Sequence, residues 1–174
     1  MKKEKKSYRI ELMICPGRHL SEEKLQRLTT AIRETTATCF ETIPNYQVMR
    51  GTREEFSDKV LSVAWRPDGK IAGFCSSVLL PVQGIGKVLH LGLTCVRPEN
   101  RKGGLTHLLT KKVVQGYLLR RKPVGRLWVS NCAAVLSSLG NVALHFDHVY
   151  PSPFPGIKPT KKHDKIAAAI DRQY

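Results

Sequence analysis

The chain has 174 residues, with 29 Lys and Arg against 14 Asp and Glu, which gives a formal net charge of +15 at pH 7. Its hydrophobic share of 41% and charged share of 25% are those of ordinary globular sequence, which excludes a mostly disordered, collagen-like or coiled-coil chain and predicts one compact domain. No apolar run approaches the ~18–20 residues of a membrane span; the longest, at 78–82 and 88–96, are short and broken by polar residues, Pro or Gly.

In residues 7–15, Tyr8, Ile10, Leu12 and Ile14 alternate with Arg9, Glu11 and Met13, a period near two that predicts a half-buried strand ended by Pro16 and Gly17. Ser21 followed by Glu22 and Glu23 predicts a helix start, and Leu25, Leu28, Ile32 and Cys39 continue at helical spacing to about Phe40. Residues 41–57 show no clear period and read as a loop with a short helix near 52–56, a place for variable substrate-side structure. Residues 59–65 and 70–80 flank Arg66, Pro67, Asp68 and Gly69 and predict an antiparallel hairpin, after which 81–86 turn the chain again. Residues 87–96 are the most apolar strand, nearly continuous on both faces, and are expected at mid-sheet. Leu105, Leu108, Leu109, Val113, Tyr117 and Leu118 share one helical face, and that helix ends in Arg120 and Arg121 before Pro123. A short strand at 126–130, a helix at 133–146 and a strand at 148–150 complete residues 1–150, read as the domain. Residues 151–174 read as a Pro-rich linker and a basic tail in which 165–170 open a helix and stop; the tail either completes the sheet irregularly or marks the front part of a longer protein.

The five cysteines, Cys15, Cys39, Cys75, Cys95 and Cys132, form no CxxC pair and lie in or at the ends of apolar segments, so reduced thiols without disulfide or metal are expected. The basic start runs into a strand without an apolar signal core, and a cytoplasmic protein is the expectation. The net charge attracts nucleic acid, anionic lipid or phosphorylated small molecules, but it is scattered along the chain and names a sign rather than a partner.

The alternation of strands and helices defines an α/β domain, a mixed central sheet flanked by helices, and the chemistry gathers at one junction in it. There Leu93, Thr94, Cys95 and Val96 close the apolar strand, a short loop follows, and a helix opens whose first amide N–H groups lack intrahelical partners. Gly103 and Gly104 permit close backbone approach, and Arg101 and Lys102 add positive charge, a combination suited to a pyrophosphate.

The run Arg101, Lys102, Gly103, Gly104, Leu105, Thr106 resembles the acyl-CoA loop of the GNAT N-acetyltransferase superfamily, Arg/Gln-x-x-Gly-x-Gly/Ala, with Thr106 departing from the last position. The resemblance covers element order from about residue 7 to 150. It implies a GNAT-like acyl-CoA N-acyltransferase fold, acetyl-CoA as co-substrate, and direct transfer of the acetyl group to an unidentified amine acceptor. It further implies that backbone amides of Leu93, Thr94, Cys95 and Val96 hold the pantetheine and polarise the acyl carbonyl, a role that demands no particular side chain. Asn131 matches a position that contacts the pantetheine arm, and it is equally suited to capping the helix after it. His90, eleven residues before Arg101, stands where one branch of the superfamily has a glutamate base. A neutral imidazole is competent for that task, and a hydrogen-bonded structural histidine is the plainer reading. The family's usual Tyr proton donor to the CoA thiolate is replaced by Ser138, which leaves Tyr150 or water for that step. Cys95 and Cys132 lack a sequence-adjacent base and receive no covalent role. Two further readings stand beside the enzyme: a CoA-binding module without turnover, motivated by Thr106 and Ser138, and a basic domain with a nucleic acid or other polyanionic partner, motivated by charge.

Overall fold

The computed structural model of the protein describes residues 7–45, 47–121, 126–132, 146–152 and 154–173. Strands β1 (Arg9–Ile14), β2 (Lys59–Trp65), β3 (Ile71–Val82), β4 (Gly86–Val96) and β5 (Val129–Asn131) form a sheet in that same spatial order. The first three pairings are antiparallel, and β5 runs parallel to β4. The mixed α/β architecture predicted from the sequence is therefore the one observed. The middle strand, however, is β3; β4 is interior, with β3 on one side and β5 on the other.

Helix α1 (Glu22–Ala37) starts where Ser21 Oγ accepts from the Lys24 amide at 3.4 Å, with Glu22 and Glu23 in the first turn where the helix dipole favours them. It buries Leu25, Leu28 and Ile32 against Leu61, Val63, Phe74 and Cys95 of the sheet. Helix α2 (Leu105–Arg121) covers the opposite face, where Leu105, Leu109, Val113 and Tyr117 meet Leu12, Val60, Cys75, Leu89 and Leu91. Leu108, placed by sequence on the buried stripe, is 46% exposed, because the helix turns its 105–109–113–117 edge to the sheet.

Three other expectations are corrected. The loop after α1 forms a short 3₁₀ turn at Gln47–Met49 rather than a helix at 52–56, where hydrogen-bonded turns instead carry the buried Phe56. Strand β3 continues through Pro81 to Val82 instead of breaking at 81. The Leu79 amide bonds to Asp58 O on the β2 side, so the nitrogen two residues on points past the end of β2 and Pro81 forfeits no ladder bond. No strand forms at 148–150. The helix expected at 133–146, with Ser138, falls almost wholly outside the described residues.

The tail helix runs further than its apolar patch suggests, from Lys161 to Gln173 (α3). Thr160 and His163 cap each other: the Thr160 amide donates to His163 Nδ1 at 2.9 Å, and the His163 amide to Thr160 Oγ1 at 3.5 Å. Ile166 and Ala169 pack on Leu80, Val82 and Val88. Phe74, Leu80 and Val82 share one side of β3, so α1 and α3 lie on the same face of the sheet.

Candidate active site

The junction of β4 and α2 is built by a break in strand pairing. On β3, Cys75 pairs with Thr94 and Ser77 with Leu91, so Gly92 and Leu93 together stand opposite Ser76, a bulge in β4. Strand β5 pairs with Leu89, His90 and Leu91 only and ends at the bulge. Beyond it the Arg97 amide bonds to Ala72 O and Leu93 O accepts from Ser76 Oγ, both toward β3. Alternation turns the amide groups of Thr94 and Val96 toward the edge that β5 has left. Among the described residues no strand runs along that edge.

Eight residues past Val96 the chain reaches Gly104, and on the way φ alternates in sign, positive at Lys102 (65°) and Gly104 (73°) but not at Gly103. Alternation of this kind turns successive amides to one side and makes an anion-binding concavity. Gly104 O accepts the first helical bond, from the Leu108 amide, leaving the amides of Leu105 and Thr106 at the open end of α2. A side chain at either Gly103 or Gly104 would meet nothing within 4 Å, so the concavity faces open space. Leu105 anchors it in the core, whereas Arg101, Lys102 and Thr106 are exposed. The Arg101 guanidinium folds back rather than outward: Nε donates to Val96 O at 3.0 Å and Nη2 reaches Cys39 Sγ at 3.6 Å. Asn100, buried beneath the turn, donates to the Tyr8 hydroxyl at 3.0 Å and ties it to β1.

On the α1 and α3 face, His90 is 3% exposed, and its Nδ1 lies 3.0 Å from Ser130 Oγ on β5. Burial pushes its pKa below the ordinary imidazole value, so it is neutral at pH 7. Ser130 is half-buried and was not singled out by sequence; nothing in its neighbours marks it, since β5 pairing alone brings it to His90. Gln47 and Ser76, bonded at 3.1 Å, meet over the bulge and were also missed. Cys95 points into the α1 core, and burial, together with the neighbouring Cys39, pushes its thiol up to about 12. It is a thiol rather than a thiolate at neutral pH, and only its backbone faces the junction. Asn131 and Cys132 are exposed at the end of β5. Tyr150 is 45% exposed, its ring 5.7 Å from that of His163 on α3, which sets it beside the Val88 end of β4 and not at the bulge. Among the described residues no cluster of His, Cys, Asp or Glu could hold a metal ion.

No family model matches the chain, and no curated protein matches it by sequence. Solved structures do match its shape. A Trypanosoma brucei acetyltransferase is 21% identical, over 79% of this chain and 92% of its own, with a TM-score of 0.52. An aminoglycoside acetyltransferase from an uncultured soil metagenomic sample, in complex with sisomicin, reaches a TM-score of 0.60 at 15% identity over 88% of this chain and 97% of its own. An aminoglycoside N-acetyltransferase in complex with CoA is 15% identical over 92% and 99%, with a TM-score of 0.55. The chain thus shares its overall fold with these acetyltransferases.

Proposed function

We propose that the protein is an acyl-CoA-dependent N-acyltransferase that moves acetyl from acetyl-CoA to an amine by direct attack. The observation that carries this reading is the continuity of the bulge at Gly92 and Leu93, the edge amides of Thr94 and Val96, and the concavity from Lys102 to the amides of Leu105 and Thr106. The pyrophosphate fits the concavity, where Lys102 and the helix end supply positive potential. The pantetheine follows β4 in place of β5, reaching toward Asn131, and backbone amides beside the bulge face the thioester oxygen as charge develops on it. Arg101 contributes by fixing the strand exit through Val96 O, and its charge adds to the local field.

His90 takes up the proton of the attacking ammonium, with Ser130 as the half-buried hydroxyl through which it passes. Tyr150 stands against His163 of α3, away from the bulge, so water supplies the proton to the departing CoA thiolate. Ser130 lies against His90, and the cross-strand row through His90 continues to Val78 and the buried Lys59, whose ammonium is paired with Asp58 and Glu55. Release of free CoA thiol from acetyl-CoA across a panel of primary amines tests the reading. His90→Gln should lower kcat by about 10²-fold or more with acetyl-CoA binding retained. Turnover by the variant at the parent rate would remove His90 from the mechanism.

A further inference from the structure

The loop between α1 and β2 is tied to the bulge by two buried polar residues, Gln47 and Ser76. Gln47 holds a backbone φ of 52°, rare for a residue with a side chain, yet it is only 7% exposed. The single Ser76 hydroxyl proton is shared between Gln47 Oε1 at 3.1 Å and Leu93 O at 3.2 Å, inside the bulge. A Cβ at Gly92 would lie 2.6 Å from Gln47 Oε1 and 2.9 Å from Nε2, so the carboxamide rests on bare backbone that only glycine leaves open. Ser76 is itself fully buried, and it is the β3 residue that the bulge skips.

We propose that Gln47 and Ser76 are positioning residues that hold the Gly92–Leu93 bulge in the conformation that aims the neighbouring amides at the thioester oxygen, and that the 47–49 turn thereby joins the acceptor-side loop to the acyl site. The inference rests on the acyltransferase reading above. A polar carboxamide on a strained backbone, packed against a glycine at the one irregular point of β4, is a costly arrangement for packing alone, since an apolar side chain would fill the same space. What the carboxamide adds is direction: with Leu93 O it forms the second acceptor of a three-centre bond that fixes the Ser76 hydroxyl between loop and bulge.

The test is isotope-edited infrared spectroscopy of acetyl-CoA labelled at the acetyl carbonyl, bound to the intact protein. A polarised thioester carbonyl absorbs below its frequency in solution. The parent should show that lowering; Gln47→Leu and Ser76→Ala should return the band at least halfway to the solution value, while CoA affinity stays within about twofold of the parent because the pyrophosphate contacts are elsewhere. Gln47→Glu, which keeps an acceptor for Ser76 Oγ, should restore the parent band, a rescue that a purely structural role would not give. Gly92→Ala displaces the carboxamide without altering either partner and should act like Gln47→Leu, so one folded variant, checked by its melting curve, is enough. A parent band at the solution frequency, or folded Gln47→Leu and Gly92→Ala with the parent band, overturns the inference and leaves acyl-CoA binding standing. A parent that binds no acetyl-CoA sinks the acyltransferase reading and this inference with it.

Discussion

At the scale of single residues, burial decides what His90 can do. Its folded pKa lies below the unfolded value of ~6.5, so the unfolded chain binds the proton more readily. The associated stability is present in full above that value and is lost as pH falls below it toward the folded pKa, at no more than about 1.4 kcal/mol per pH unit. His90→Gln should therefore show a shallower fall of Tm between pH 7 and pH 5 than the parent; parallel curves would contradict the burial of a neutral imidazole. Cys95 offers a second check. With its thiol pushed up to about 12 and its side chain in the core, it should resist iodoacetamide at pH 8 until the protein is denatured, while exposed Cys132 reacts at once. Equal labelling rates would contradict the packing. The residues legible in sequence were those in a local pattern, Arg101 through Thr106. Ser130 stands 40 positions from His90 and Ser76 stands 29 from Gln47, and no local pattern encodes a partner at that distance.

At the scale of elements, local signals were sufficient where a cap or turn residue set the boundary. Ser21 gave the start of α1, and Asp68 with Gly69 gave the turn between β2 and β3, where Gly69 takes a φ of 80°. They failed where tertiary context prevailed: Pro81 is tolerated because β2 ends before it, and the bulge in β4 is silent in a run that is apolar on both faces. Helix α3 was the largest miss, since its apolar stripe is only Ile166, Ala169 and the half-buried Ile170. Its docking is still worth measurable stability. Ile166→Ala should cost about 2 kcal/mol in urea denaturation, at the low end for a buried Ile because the site lies at the sheet margin. Leu119→Ala, at a side chain 72% exposed, should cost almost nothing. Equal effects would mean that α3 does not pack on Leu80, Val82 and Val88.

At the scale of the whole molecule, the excess of 15 positive charges acts at long range and fixes no geometry. It favours a polyphosphorylated co-substrate and opposes a polycationic acceptor, so acetyl-CoA should bind more weakly as salt rises from about 0.05 to 0.5 M, where the Debye length shrinks from roughly 14 to 4 Å. An affinity indifferent to salt would show that this charge does not serve the cofactor. The central claim is that acyl-CoA is held where β4 enters α2, and calorimetric titration with acetyl-CoA addresses it directly. Gly103→Glu is the matching variant, since Gly103 has no positive φ and open space beside it, so the fold should persist while bulk and negative charge fill the concavity. The account predicts saturable binding by the parent and its loss in the folded variant; a well-folded parent that binds no acetyl-CoA, or a Gly103→Glu protein that binds it as tightly, would contradict the account.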